Sequence, residues 1–268
     1  MKKLMFTAAA LMAGIAVADI QSSNIAGYHP QDWMGNDFYM MAGQFETTAG
    51  ESTKLSSIPF DFYNDPERTP DLDVGGNYKK TAPQLQIADA VSDISHKYWY
   101  AKLTKGTTTT YGWTAGTKFE DPTIDAGIGF WFRDPLGEAP SFTFSGQVVP
   151  DSPWSRTFPT SDFYMLANPF PKSYDVCNEN DILISGLKDT APELDQAGNY
   201  KKIATQIQVP TDKSDLTMKY WYVKLTKGST TTYGWTAGTK FATSLVVPAG
   251  RACWFKPAVA DTTVQFFE

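Results

Sequence analysis

The clearest pattern of apolar and polar positions lies between Tyr98 and Thr104, where residues of two kinds alternate along the chain. One set is Trp99, Ala101 and Leu103, and the other is Tyr98, Tyr100 and Lys102. A period of two predicts a half-buried β-strand with the Trp99 set facing inward. Lys105-Gly106 then suits a turn, and Thr107 to Thr114 is rich in Thr, Tyr and Trp, which fit a pleated surface. The two segments together predict a β-hairpin.

Other short runs of apolar and β-branched residues are separated by Gly and Pro, which predicts further strands. These runs are Phe38 to Met41, Leu85 to Ala88, Ile128 to Arg133 and Phe142 to Val148. Runs of this length, about seven in each half of the chain, are typical of a β-sandwich or a small barrel. The sequence therefore predicts an all-β protein and leaves both architectures open.

The two halves of the chain repeat one another. Lys97 to Phe119 matches Lys219 to Phe241 at 21 of 23 positions, with differences only at Ala101/Val223 and Thr107/Ser229. A repeat of this length predicts two tandem domains related by internal duplication. The predicted boundaries are 1–18 for a signal peptide, 19–147 for the first β-domain repeat and 148–268 for the second.

The first residues have the features of an export signal. Lys2 and Lys3 precede an apolar run from Leu4 to Val17, and Ala16-Val17-Ala18 supplies a cleavage site. The run is shorter than the roughly 20 residues that span a bilayer as a helix, so no transmembrane segment is predicted. We expect a secreted protein, extracellular or at the cell surface, with the periplasm as another possible compartment.

The charge balance bears on the class of partner. Removal of the predicted signal takes two lysines and no acid, which leaves 21 basic against 29 acidic residues and a net charge of −8. An acidic chain without basic clusters is a poor partner for phosphates, so we expect no nucleic-acid binding.

A loose resemblance follows from the end of the first repeat. Gly127, Gly129, Phe130 and Trp131 form a G-x-G-F-W motif, and Phe144, Gly146 and Val148 form F-x-G-x-V. The order resembles uncharacterised secreted bacterial tandem β-repeat proteins. The second repeat departs from it at Arg251 and Cys253. The resemblance implies repeated β units and brings no activity with it.

Residues able to carry chemistry are few. Two cysteines in an exported chain favour a disulfide between Cys177 and Cys253, with two buried free thiols as the alternative. His29 and His96 are not repeated in the second half, and no nucleophile, zinc or phosphate-loop motif occurs. We therefore expect no enzyme, no cofactor and no metal site.

A candidate binding platform comes from aromatic residues on the strand face assigned to solvent and near the hairpin end. Its members are Tyr98, Tyr100, Trp113, Tyr220, Tyr222 and Trp235. Such rings stack on sugars or anchor a protein partner. The alternative is cross-strand pairing that covers the sheet.

Two functions of different class remain. The first is a secreted, non-catalytic structural or cell-surface protein that self-assembles by strand addition. The second repeat has no counterpart of Gly146-Gln147-Val148, so an open sheet edge is expected there. The N-terminal segment of a neighbouring copy would fill that edge and form head-to-tail oligomers. The alternative is a carbohydrate-binding module that holds a glycan or cell-surface polymer on its aromatic residues.

Overall fold

The structure is a computed structural model that describes residues 38–46, 51–87, 96–135, 146, 148–149, 152–210 and 218–268. The described chain is all-β, with antiparallel sheets and no α-helix among these residues. The predicted signal peptide and most of the predicted strand from Phe142 to Val148 lie outside the described residues.

The strands of the first repeat are β1 Tyr39–Ala42, β2 Thr53–Lys54, β3 Gln84–Ile87, β4 His96–Lys105, β5 Thr108–Thr114, β6 Phe119–Glu120, β7 Thr123–Ile124 and β8 Gly129–Arg133. Those of the second are β9 Trp154–Phe158, β10 Tyr164–Ala167, β11 Tyr174–Asp175, β12 Ile182–Ile184, β13 Gln206–Gln208, β14 Lys219–Lys227, β15 Thr230–Thr236, β16 Val246–Val247, β17 Ala252–Lys256 and β18 Thr262–Phe266. Three 3₁₀ turns cover Leu55–Ser57, Asn77–Lys80 and Asn199–Lys202.

Each repeat contains one large antiparallel sheet, and the strand orders correspond. The orders are β1-β8-β3-β4-β5-β6 in the first repeat and β10-β17-β13-β14-β15 in the second. The predicted hairpin is confirmed as β4 and β5. Lys105 pairs with Thr108, and Gly106 takes the positive φ of 63° that the tight turn requires.

Successive residues on the first two strands of each sheet point to opposite faces, and both faces are packed. Tyr39 and Met41 of β1 point into the core of the first repeat, whereas Met40 and Ala42 point toward the second repeat. The same division holds for β10, β8 and β17. Because successive strand residues face opposite sides, one short run serves both a core and an interface.

The contact between the repeats has approximate two-fold symmetry. Met41 forms an antiparallel bridge with Arg251, and the corresponding Leu166 forms one with Ile128. The Trp131 and Trp254 rings meet across this contact with centroids 6.5 Å apart. A contact that recurs with the partners exchanged is isologous, so each repeat presents the same strand pair to the other.

A second layer covers the tyrosine face of each large sheet. In the second repeat it is a three-stranded sheet ordered β12-β18-β9, which contributes Phe158, Ile182 and Val264 to the core and makes this unit β-sandwich-like. In the first repeat the segment from Leu55 to Phe62 buries its apolar residues against the same face. The predicted open edge at the end of the second repeat is wrong, because β18 pairs with β12 on one side and β9 on the other.

A short turn covers the opposite face of each hairpin. Tyr78, in the 3₁₀ turn Asn77–Lys80, contacts Trp99 edge-on, and the Lys79 ammonium lies 4.5 Å from the Trp99 ring centroid. Tyr200, Lys201 and Trp221 repeat this arrangement. Trp99 and Trp221 are therefore half-buried at matching positions beneath a turn, and they do not belong to the main core.

Candidate functional site

The structure corrects the expectation of an exposed aromatic platform. Tyr100, Trp113, Tyr222 and Trp235 are between 2% and 7% exposed, and Tyr98 and Tyr220 are half-buried. The reason is that both faces of β4 and β14 are covered, so the tyrosine face forms the wall of the main core. These residues do share one place in each repeat, because the buried rings border a surface cleft.

The two clefts occupy corresponding positions beside the β4–β5 and β14–β15 hairpins. The first is about 470 Å³ and the second about 770 Å³. Their common wall consists of Tyr100, Tyr111, Gly112 and Trp113 in the first repeat and Tyr222, Tyr233, Gly234 and Trp235 in the second. The central pair has nearly the same geometry, with Tyr100–Trp113 centroids 5.5 Å apart and Tyr222–Trp235 centroids 5.3 Å apart.

The first cleft contains a side chain of its own chain, Tyr63. The Tyr63 ring stacks on Tyr100 with centroids 4.7 Å apart and 23° between the planes. Its hydroxyl accepts a hydrogen bond from Trp113 Nε1 at 2.7 Å and donates one to the Leu55 carbonyl at 2.6 Å. Burial is the main cause that raises the pKa of Tyr63 far above its ordinary value, so the phenol stays neutral.

The second cleft has no corresponding ring. No tyrosine occurs between Asp175 and Asn199, and the facing wall contains Leu183 and Leu187 instead. Trp235 Nε1 has no hydrogen-bond partner among the described residues, and it is not one of the fully enclosed polar atoms. The Trp235 side chain is 2% exposed, so the cleft wall carries a nearly buried indole N–H, without a hydrogen bond to the described residues, beside the Tyr222 ring.

The mouth of the second cleft combines apolar and charged groups. Leu183 is 41% exposed and Tyr233 is 38% exposed, so the mouth presents apolar surface. Glu179 and Lys188 form a surface ion pair at 2.9 Å, and Asp189 also borders the opening. Carboxylates accept and an ammonium donates hydrogen bonds, so the mouth suits a ligand with several hydroxyl groups.

Strand edges also border the second cleft. β12 is the edge of the three-stranded sheet, and β15 is the edge of the large sheet. In the first repeat β6 continues the sheet beyond β5. On the corresponding side of β15 the described residues form the isolated bridge from Thr236 to Phe241, where the Ala242 N–H donates to the Trp235 carbonyl at 2.7 Å. The second cleft is larger than the first and lies between the edge strands β12 and β15.

The predicted disulfide is not formed, because both cysteines are free thiols. Cys253 lies on β17 inside the core, with Sγ 3.4 Å from the Tyr174 hydroxyl. Cys177 lies half-buried at the second cleft, with Sγ 3.9 Å from the Ala242 carbonyl oxygen. Burial is the first cause of the raised thiol pKa values, about 11 for Cys177 and about 12 for Cys253.

Two titratable groups of the second cleft, Tyr222 and Cys177, are held in their neutral forms. Burial, with smaller contributions from Glu179, Tyr233 and Cys177, raises the pKa of Tyr222 to about 12. Tyr222 and Cys177 therefore stay protonated near neutral pH and provide no ready nucleophile or base. The cleft is equipped to stack a ring and to exchange hydrogen bonds with it.

Among the residues that the structure describes, no helix is long and apolar enough to cross a membrane. No protein-family model, no curated protein and no solved structure matches this chain. The predicted resemblance to secreted tandem β-repeat proteins stays a prediction.

Proposed function

We propose that this chain is a secreted, non-catalytic carbohydrate-binding protein and that the cleft of the second repeat is its site. The observation that carries the proposal is the cleft wall formed by Tyr222 and Trp235, whose Nε1 makes no hydrogen bond to the described residues. A sugar ring presents an apolar C–H face that stacks on an aromatic ring and hydroxyl oxygens that accept from an indole N–H.

The mouth of the cleft supports this ligand class. Glu179 and Asp189 accept hydrogen bonds from hydroxyl groups, and Lys188 donates to them. The exposed Leu183 and Tyr233 add apolar surface for a second ring next to the first. Both signs of charge are present, which favours a neutral glycan over a polyanion, in keeping with the acidic chain.

Secretion and internal duplication belong to the same proposal. Secretion is supported by Lys2, Lys3 and the apolar run with its Ala16-Val17-Ala18 site. Duplication into domains 19–147 and 148–268 is supported by the sequence repeat and by the matching strand orders. Val148 packs against both main cores, which supports a boundary near this residue.

The test is binding to a glycan array, followed by calorimetry on the best ligand with three variants. Trp235→Phe removes the donor and keeps a ring, so we expect affinity to fall by about five- to tenfold, the effect of one neutral hydrogen bond. Tyr222→Ala removes the stacking surface, and we expect binding to be lost. Trp221→Phe, on the opposite face of β14, is the matched control and should bind normally.

Two results would contradict the proposal. One is the absence of any glycan that binds the wild-type chain on the array. The other is a glycan whose affinity is unchanged by both Trp235→Phe and Tyr222→Ala in folded protein.

A second candidate is a cell-surface protein that assembles by strand addition at the same cleft. The observation that favours it is the pair of open edges, β12 and β15. An extended segment of a neighbouring copy would pair with either edge. This candidate requires oligomers that form with rising concentration and without glycan, which light scattering on the mature chain measures.

A further inference from the structure

The two clefts are built on nearly the same wall. The repeated 23-residue segments differ only at Ala101/Val223 and Thr107/Ser229. Ala101 and Val223 face the outer clusters under the 3₁₀ turns, and none of the four differing residues lines a cleft. What distinguishes the clefts therefore comes from the facing segment of each repeat.

Tyr63 makes the contacts in the first cleft that a ligand ring would make in the second. It stacks on Tyr100, which corresponds to Tyr222, and it accepts the hydrogen bond of Trp113 Nε1, which corresponds to Trp235 Nε1. A planar ring with an acceptor oxygen is thus complementary to this wall in position and in hydrogen bonding.

The backbone around Tyr63 holds the ring in place. Asn64 adopts a left-handed conformation with φ of 60°, which asparagine tolerates better than most residues. Its backbone hydrogen bond to the Tyr100 side chain ties the segment to the wall. The Tyr63 hydroxyl also donates to Leu55, so the ring is anchored at both ends.

We propose that the Tyr63 ring occupies, in the first cleft, the position that a ligand ring takes in the second. The chain then binds one ring-shaped ligand, in the second cleft, although its sequence repeats the wall of the site. Tyr63 is then the residue that determines the stoichiometry. The ligand class rests on the proposed function, but the occupation of the Tyr100–Trp113 wall by Tyr63 does not.

The test follows the indole N–H resonances of the isotope-labelled mature chain during titration with p-cresol, which is the tyrosine side chain as a free molecule. The chain has 8 Trp, and Trp113→Phe and Trp235→Phe assign the two resonances of interest. In the wild type, p-cresol should shift the Trp235 resonance and leave that of Trp113 in place. In Tyr63→Ala it should shift both.

Two further variants complete the design. Tyr63→Phe keeps the ring, so the Trp113 resonance should not respond to p-cresol. Tyr63→Leu introduces the residue type that lines the second cleft, and it provides a folded comparison if Tyr63→Ala is too unstable. In Tyr63→Leu we expect the Trp113 resonance to respond to p-cresol, as in Tyr63→Ala.

The outcomes separate this inference from the proposed function. A Trp113 resonance that does not move in either opened variant, while the other indole resonances keep their wild-type positions, overturns the inference. So does a Trp113 resonance that moves in the wild type. If Trp113 responds in the opened variants but the wild-type Trp235 does not respond, the inference stands and the proposed site in the second repeat fails.

Discussion

The hydrogen bond between Trp113 and Tyr63 predicts a difference in stability between two identical substitutions. Trp113→Phe and Trp235→Phe each shrink a buried ring in the same local sequence. Trp113→Phe also removes a hydrogen bond, the 2.7 Å contact from Nε1 to the Tyr63 hydroxyl, and Trp113 meets the Phe60 and Phe62 rings as well. The excess cost of Trp113→Phe therefore contains that bond together with these ring contacts, and the double-mutant cycle below isolates the bond.

The size of the excess follows from the remaining contacts. After Trp113→Phe the Tyr63 hydroxyl still donates to the Leu55 carbonyl, so no buried donor is left without a partner. The net value of one such hydrogen bond is about 1 kcal/mol. We expect Trp113→Phe to lower the free energy of unfolding by at least about 1 kcal/mol more than Trp235→Phe does.

The assay is urea unfolding followed by far-ultraviolet circular dichroism, which does not depend on the number of indoles. A double-mutant cycle with Tyr63→Phe isolates the pair, and its coupling energy should also be about 1 kcal/mol. A coupling energy near zero, or a Trp235→Phe variant less stable than Trp113→Phe, would refute the reasoning.

Three more predictions concern the thiols, alkaline pH and the interface. A thiol titration of the unfolded, unreduced protein should detect two reactive thiols per chain. One thiol or none would mean that Cys177 and Cys253 are bridged. The pKa of Cys253 is about 12 in the folded chain, whereas the pKa of a free thiol is near 9. The contribution of the buried neutral thiol to the free energy of unfolding is therefore complete below about pH 9 and is lost as the pH rises. In urea unfolding, Cys253→Ala should lose less stability at alkaline pH than the wild type does. At Gly129 an added Cβ would lie 2.8 Å from the Cβ atoms of Ala252 and Met165, so Gly129→Ala should cost about 1–3 kcal/mol in urea unfolding, whereas Gly116→Ala, with no atom within 4 Å, should be neutral.

The strands were the most predictable part of the fold, because alternation and turn residues act locally. β4, β5 and their turn follow from the period of two and from Gly106. Which face of β4 forms the main core was not predictable, because Trp99 and Tyr100 are both large and partly apolar. The face of β4 that packs into the main core depends on which distant segment covers each face. The local sequence pattern carries no information about those distant segments.

The site was only partly predictable for the same reason. The aromatic residues of the hairpins were identified, but their burial depends on the segment from Leu55 to Tyr63 and on β12. The sequence repeat gives no signal for Tyr63, because a repeat identifies only the positions that match. A difference between the repeats points to Tyr63. The first repeat carries Phe60, Phe62 and Tyr63 where the second has no aromatic residue.

The contact between the repeats has a consequence for how the two halves tolerate change. Because both halves belong to one chain, each meets the other at an effective concentration that a pair of separate chains would not reach. A substitution that weakens this face, such as Gly129→Ala, therefore leaves the two halves joined. Because the halves are tethered, they do not need to stay identical, and one half can place a side chain in its cleft while the other keeps a larger one.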